Sequence, residues 1–533
     1  MIGFVPQTLV DLFRGIPVKV LSSGSLAEVP VIDIVFDSRS VRPGSLFVAL
    51  PGEHVDGHTY IPSAIERGAV AVVGSQSIGE LPVPYVQVED TRFALAHLSA
   101  ALYSFPARQL TMIGVTGTDG KTTTANLIFQ ILLCAGFRAG VISTINAVIG
   151  EEVLDTGFHV TTPEAPDVQR YLARMVDAGL THVVLESTSH GLAQHRVTGC
   201  EFDIGVVTNI THEHLDYHGT YEAYRAAKGR LFSSLKDTHQ KKLGNPRLAV
   251  LNRDDQSYEY LSSITRVSQV DYSLQENAQV WAKDIRYGPG GIDFVAAGED
   301  FRVPIHSDLV GAFNVSNILA AIAATVVGLD IPDETAARGI AAMGCVPGRM
   351  ERIDLGQDFT AIVDFAHTPN ALQRALETVR QMARGRILAV FGSAGLRDRQ
   401  KRRMMAEVSA RMADLTILTA EDPRTESVED ILAEMAQAAV EMGGVEGKTF
   451  WRAPDRGEAI RQAVQMAQPG DLVIACGKGH EQSMCFGVTE YPWDDRTAMQ
   501  AALAERLGVA GPKMPYLPTQ KNLTADERRK GKR

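Results

Sequence analysis

The stretch GVTGTDGKTTT, residues 114–124, ends in the glycine, lysine and threonine of a phosphate-binding loop. Backbone amides of Gly117, Thr118, Asp119, Gly120 and Lys121 at a helix start can form a nest for an anion. Lys121 then supplies a point charge to the β- and γ-phosphates, and the Thr122 hydroxyl, followed by Thr123, a ligand to Mg²⁺. The usual template wants its first glycine at position 115, where Val115 stands; here the opening glycine is Gly117. The bland alternative is a glycine-containing strand-to-helix turn.

Two further clusters carry groups able to do chemistry. In LESTSHGLAQHR (185–196), Glu186 ends an apolar strand, at the edge where open parallel sheets bind ligands. Beside a phosphate loop it is a natural Mg²⁺ ligand, although alone it reads equally as a helix-capping carboxylate. In TNITHEHLDYHGTYEAYRAAKGRLF (208–232), His212, Glu213, His214, Asp216 and His218 crowd together. They invite a zinc site, but H-E-x-x-H is missing and no cysteine assists. Lys228 lies further on, in a helical stretch, and by itself reads as a surface lysine.

These residues need elements to position them. LTMIGVTG reads as a short buried strand and TTTANLIFQILLCAGF as a buried helix, the flanks a phosphate loop requires. THVVLEST, FDIGVVTNI and RLAVLNRDD repeat the strand pattern with helix-like stretches between, which favours a doubly wound parallel sheet. Upstream, VIDIVFDSRS, VRPGSLFVALPG and AIERGAVAVVG read as a small α/β domain; downstream, FTAIVDF, RILAVFG, DLTILTA and DLVIACG alternate with helices such as MMAEVSARMA. The expectation is three α/β domains at 1–107, 108–345 and 346–510, then a loose tail at 511–533.

The bulk numbers agree with several domains. A chain of 533 residues exceeds one hydrophobic core, and 45% hydrophobic with 22% charged residues is ordinary globular composition. A net charge of −11 argues against nucleic acid as a general partner, despite the basic ADERRKGKR at the end. Five scattered cysteines without a C-x-x-C pair fit buried thiols in a reducing compartment. The beginning MIGFVPQTLVDLF has no signal-peptide pattern, and no apolar run is long enough to span a bilayer, so a cytoplasmic chain without membrane insertion is expected.

Taken together, GTDGKTTT, ESTSHGLAQHRVTGCEFD and VTNITHEHLDYHGTYEAYRAAKGRLF resemble the Mur ligases, ATP-dependent amide-forming enzymes of peptidoglycan synthesis. Further matches run through nearly the whole chain: DSRSVRPGSLFVALPG (37–52), LNRDD (251–255), GAFNVSNILAA (311–321), PGRMER (347–352), DFAHTPNAL (364–372), EDPRTE (421–426) and GKGHE (477–481). The pattern is most similar to the members that add the third amino acid to UDP-N-acetylmuramoyl-L-alanyl-D-glutamate. Their loop is G-T-[ND]-G-K-T, so Val115 is normal there. The resemblance implies a UDP-binding N-terminal domain, a central P-loop-type ATPase domain and a C-terminal Rossmann-like domain for the acceptor.

It also implies residue roles. Thr122 and Glu186 would hold one Mg²⁺; a carbamylated Lys228, Glu186 and His214 would hold a second. Asn314 would contact adenine, and Arg349, Asp364 and His367 would approach the nucleotide. Phe36, Ser38, Glu53, His54 and Val55 match uridine-binding positions; Thr161, Thr162, Thr188, Gln194 and Arg196 match those for the muramoyl dipeptide. Val160 stands where a polar residue is expected, and Thr188 where serine is usual. Arg397, Arg424, Gly477 and Glu481 match contacts to a diamino acid, within an acceptor motif D-N-P-R that here reads Glu421-Asp422-Pro423-Arg424. The kept Arg424 favours meso-diaminopimelate; the acidic Glu421 and Asp422 leave L-lysine or L-ornithine open. A monomer is expected. The alternatives are another ligase of this superfamily, including the folylpolyglutamate type, a non-catalytic ATP-binding switch, and a zinc hydrolase using the 212–218 histidines.

Overall fold

The structure is a computed structural model that describes residues 6–23, 28–52, 55–155, 162–211, 215–288 and 291–520. The chain divides into two compact units. The first comprises 1–284, 294–305 and 315–342; the second comprises 285–293, 306–314 and 343–533.

Beside a two-stranded ribbon of Gln7–Thr8 and Pro30–Val31, the first unit contains strands of two larger sheets. In the N-terminal one, Tyr85–Val88, Ala69–Gly74, Ser45–Val48 and Asp33–Val35 run parallel, and Val20–Ser23 joins antiparallel at the edge. Strand alternation sends Leu46, Val48 and Val73 to one apolar cluster with Leu98, and Phe47 and Val72 to another with Ile61. The helix Thr91–Leu102 starts where Asp90 accepts from the amides of Arg92 and Phe93, a standard N-cap.

The larger sheet places Thr111–Thr116 between His182–Glu186 and Ile204–Val207, with Leu248–Asn252 and Ser268–Ser273 next in order. All these neighbours pair in parallel. Every residue of the first four strands is buried, as expected for a parallel sheet covered on both faces. On the other side Ala139–Ile142 runs parallel to His182–Glu186, and a hairpin of Asn146–Ile149 and Glu152–Asp155 closes that edge. The predicted strands and the helix Lys121–Cys134 therefore appear where periodicity placed them.

The second unit has a six-stranded sheet. Thr360–Asp364, Leu472–Cys476, Ile387–Phe391, Leu415–Leu418 and Phe450–Arg452 run parallel, with Glu351–Ile353 antiparallel at one edge. An ion pair lies inside it: Arg456 donates Nε and Nη2 to Asp495 at 2.7 and 2.6 Å, both side chains fully buried. Removing one partner of such a pair costs about 3–5 kcal/mol, because a buried charge is left alone. Trp493 Nε1 and the carbonyls of Ala420 and Cys476 complete its hydrogen bonding. Residues 511–520, read from sequence as the start of a loose tail, pack onto this unit instead. Leu517 is fully buried, and Thr519 donates to Asp455 at 2.7 Å.

Candidate active site

The strand Thr111–Thr116 turns at Gly117 and enters the helix Lys121–Cys134 at Gly120, whose φ of 81° is left-handed. Glycine is required at both turns. A Cβ on Gly117 would lie 1.8 Å from Thr208 Oγ1, and one on Gly120 would lie 2.3 Å from Asn317 Oδ1. The loop is braced from below. Asn209 accepts from the amides of Thr118 and Asp119 at 2.7 and 3.1 Å, and Thr208 Oγ1 donates to Asp119 O at 2.6 Å. Two of the amides expected to cradle an anion are thus occupied, which concentrates the cradle on the first turn of the helix. Lys121 curls back over the loop, its Nζ donating to Thr118 O at 2.8 Å.

Glu186 is buried at the end of its strand, and parallel pairing sets it level with Val115, two residues before Gly117. Its carboxylate accepts from Thr122 Oγ1 at 3.2 and 3.0 Å and from the amide and hydroxyl of Thr144 at 3.0 and 2.9 Å. The capping alternative is set aside, since these donors lie on other elements. Thr123 is buried one residue on.

Lys228 is no surface lysine. It is 1% exposed on the helix Tyr221–Ser234, its Nζ donates to Gly117 O at 2.5 Å, and it lies 4.7 Å from the centre of the Tyr224 ring. The Tyr224 hydroxyl in turn meets Thr118 Oγ1 at 2.9 Å. His214 lies outside the described residues, as do His212 and Glu213 of the histidine cluster. Among the described residues no group of three or more His, Cys, Asp or Glu could hold a metal ion.

Beside Glu186 the proposed dipeptide positions form one hydrogen-bonded group. Thr162 Oγ1 donates to Glu186 O at 3.1 Å and meets Thr188 Oγ1 at 3.1 Å; Thr188 caps the helix Ser189–Ala193 by accepting from Gly191 N. Arg196 donates to Thr162 O at 2.9 Å and to Gln194 Oε1 at 2.8 Å, and pairs with Glu164 at 2.9 Å. Threonine in place of serine at 188 thus keeps the cap. Thr161 and Val160 lie outside the described residues. In the N-terminal sheet region Phe36 and Ser38 are half-buried around a turn capped by Asp37, and Val55 is exposed; Glu53 and His54 lie outside the described residues.

In the second unit, Asn314 is buried and donates to Val310 O at 2.7 Å. The Arg349 guanidinium lies 4.4 Å from the Phe365 ring centre, and His367 Nδ1 lies 3.0 Å from Phe365 O. Asp364 accepts from the amides of Met350 and Ala366 at 2.7 and 2.8 Å, so it ties down the turn bearing Arg349. Burial pushes its carboxyl above the usual range, against the pull of Arg349.

The acceptor-motif residues share this unit. Glu421 is buried, and a Cβ on Gly477 would lie 2.3 Å from its Oε2, so only glycine fits there. Burial pushes the Glu421 pKa up to about 7, opposed by Lys401 and Arg456. Asp422 accepts from Lys478 Nζ at 3.0 Å on each oxygen, and Lys478 also pairs with Glu481. Pro423 is buried, Arg424 half-buried, and Arg397 exposed.

Sequence reasoning missed Thr144, Asn209, Asn317, Lys478 and His480. Thr144 follows the strand Ala139–Ile142, so the same carboxyl-edge rule that picked out Glu186 could have found it. Asn317 lies three residues past Asn314, one helical turn away. His480 is kept neutral, its pKa pulled to about 3 by burial and by Arg349, Arg496 and Lys478.

Three segments of the chain match known family models. Residues 32–103 match the model described as Mur ligase family, catalytic domain; 115–325 match the Mur ligase middle domain; 348–479 match the Mur ligase, glutamate ligase domain. The chain is 43% identical over 490 residues to a UDP-N-acetylmuramyl-tripeptide synthetase of Roseiflexus sp., covering 90% of this chain and 96% of that one. It is 43% identical over 477 residues to a UDP-N-acetylmuramoyl-L-alanyl-D-glutamate--2,6-diaminopimelate ligase of Geobacillus thermodenitrificans, covering 89% and 95%. A solved structure of a ligase with that second name superposes with a TM-score of 0.65 at 30% identity, covering 94% of this chain and all of that one.

Proposed function

The chain belongs to the Mur ligase family, and we propose that it joins a diamino acid, meso-diaminopimelate first, to UDP-N-acetylmuramoyl-L-alanyl-D-glutamate using ATP. The observation that carries the reading is likeness over 89% of the chain to an enzyme named for that reaction, together with the Thr122–Glu186 contact at the phosphate loop. The enzyme is an ATP-dependent amide ligase, and its place is peptidoglycan synthesis. The same likeness supports the division into domains at 1–107, 108–345 and 346–510, inside which the three matched segments fall. We read the chain as a cytoplasmic monomer; no helix among the described residues is long and apolar enough to cross a membrane.

The D-glutamate side-chain carboxylate attacks the γ-phosphorus of ATP, ADP leaves, and an acyl phosphate forms. The acceptor amine then attacks the acyl carbon, a proton is lost, and phosphate departs. Both reactants of the first step are anions, so cationic and hydrogen-bonding groups must offset their repulsion. Lys121 and the helix N-terminus after Gly120 would do so at the β- and γ-phosphates, and the Arg349 guanidinium is a further cation that the family resemblance assigns to the nucleotide.

The donors at Thr122 and Glu186 fit a hard cation: buried hydroxyl and carboxylate oxygens in contact, with no sulfur. Thr122, Glu186, His214 and a carbamylated Lys228 would hold Mg²⁺ at two sites, and bound Mg²⁺ supplies charge neutralisation along the phosphates. A lysine amine is no ligand for such an ion. Addition of CO₂ to the neutral amine, with loss of a proton, turns Lys228 into an anionic oxygen donor.

The test is ADP release with the UDP-muramoyl-dipeptide and meso-diaminopimelate, L-lysine or L-ornithine at equal concentrations. Turnover dependent on both dipeptide and diaminopimelate is expected. No ADP with any acceptor would favour the non-catalytic switch, and preference for lysine or ornithine would overturn the acceptor assignment.

A further inference from the structure

Lys478 was assigned no role by sequence, yet it is among the most enclosed charges in the second unit. It is 0% exposed, its Nζ lies 3.0 Å from both oxygens of Asp422, and it also pairs with Glu481. Burial opposes its charge, but Glu481 and Asp422 outweigh that and hold its pKa above the usual lysine range. Asp422 is further fixed by the amide of Cys485 at 2.9 Å.

The loop that Asp422 belongs to needs holding. Asp422 and Arg424 have φ of 39° and 55°, left-handed conformations that side-chain-bearing residues avoid at a cost of about 1–3 kcal/mol each. Arg424 is gripped on the strand side, its amide donating to Cys485 O at 3.0 Å and its carbonyl accepting from Gly487 N at 2.7 Å. Gly395 N donates to Asp422 O at 3.0 Å, and Lys478 adds a charged grip through the Asp422 side chain.

We propose that Lys478 is a positioning residue of the acceptor subsite. It neutralises Asp422 and ties the 421–424 loop to the 477–481 turn, so that the loop offers an incoming amino acid the guanidinium of Arg424 rather than a carboxylate. The aspartate in the acceptor motif is thereby masked, and the acceptor favoured is one whose far end carries a carboxylate. This rests on the ligase reading above.

The experiment compares steady-state ADP release by the full chain, its Lys478→Met variant and the Lys478→Met/Asp422→Asn double variant, with diaminopimelate and with lysine. Lys478→Met is expected to raise KM for diaminopimelate about tenfold, with KM for ATP and dipeptide changed less than about twofold. Its diaminopimelate-to-lysine ratio of kcat/KM should fall, because Asp422 is unmasked, and the double variant should recover that ratio. An unchanged ratio, or a parallel rise in all three KM values, overturns the proposal. If Lys478→Met does not fold, Asp422→Asn decides: it breaks the same tie, so KM for diaminopimelate should rise about tenfold with KM for ATP changed less than about twofold, and an unchanged KM for diaminopimelate overturns the proposal. A wild-type chain inactive with every acceptor removes the ligase reading itself, and the inference falls with it.

Discussion

The hydroxyl of Thr122 lies 3.0 and 3.2 Å from the two carboxylate oxygens of Glu186, across 64 residues of sequence. The sheet makes this meeting, because His182–Glu186 pairs in parallel with Thr111–Thr116 and both end at the same edge. Thr122→Val keeps the volume and removes the oxygen, while Thr144 still holds Glu186. We expect kcat to fall about 100-fold and the Mg²⁺ concentration for half-maximal rate to rise, with thermal stability nearly unchanged. ADP release measured across a Mg²⁺ series checks this; an unaltered Mg²⁺ requirement would detach Thr122 from the metal.

Gly117 has no room for a methyl group. Its Cβ would fall 1.8 Å from Thr208 Oγ1, with Asn209 O at 3.1 Å, and its φ is 151°. Gly117→Ala should weaken ATP binding at least about tenfold and destabilise the chain by about 1–3 kcal/mol, since the loop must shift off Thr208 and Asn209. Calorimetric ATP titration with a melting curve tests it, and wild-type affinity would mean the loop relocates freely.

Much of this was legible in the sequence, and the reasons divide by range. Short strands such as THVVLEST and the loop GTDGKT declare themselves locally, through apolar runs and glycine spacing. The contacts made by buried lysines do not. Lys228 sits among alanines and charged neighbours like any surface lysine, and only its contact with the loop carrying Gly117 reveals it as buried. Lys478 and Asp422 are 56 residues apart, and their pairing depends on sheet order, which no local pattern encodes. The same holds for Leu517, in the proline-broken stretch MPYLPT, whose burial needs the finished second unit.

Glu421 should make stability pH-dependent. Its folded pKa of about 7 lies above the ordinary 4.5, so its contribution is fully present below pH 4.5 and is lost as pH rises through 7. Replacing it by glutamine removes that loss, which is at most about 3 kcal/mol. Denaturant melts at pH 5 and pH 8 should show the wild type losing more stability than Glu421→Gln over that interval. His480 titrates with the opposite sign and is common to both chains, so it cancels in the comparison. Parallel curves would place Glu421's titration elsewhere.

Arg424 is held by backbone hydrogen bonds on both sides, through Cys485 and Gly487, so truncating its side chain should leave the loop in place. Arg424→Ala is expected to raise KM for diaminopimelate about 10- to 100-fold, the loss of a bidentate carboxylate contact, without changing ATP affinity. Equal losses for both ligands would assign the residue to folding instead.

Lys228 admits two explanations that a single deletion does not separate. Its Nζ donates to Gly117 O at 2.5 Å, so a plain ammonium could serve by steadying the phosphate loop. A carbamate would instead contribute oxygen to a metal. Lys228→Arg distinguishes them, since guanidinium keeps the positive charge and the donors but forms no carbamate under these conditions. We expect Lys228→Ala and Lys228→Arg both to lose about 100-fold or more in kcat. Formate or acetate should partly restore Lys228→Ala by placing a small carboxylate in the vacated space. The larger Arg side chain leaves no such space, so Lys228→Arg should not respond. Retained activity in Lys228→Arg would establish the ammonium role, and absence of rescue in a folded Lys228→Ala would remove the support for a carboxylate-like ligand at this position.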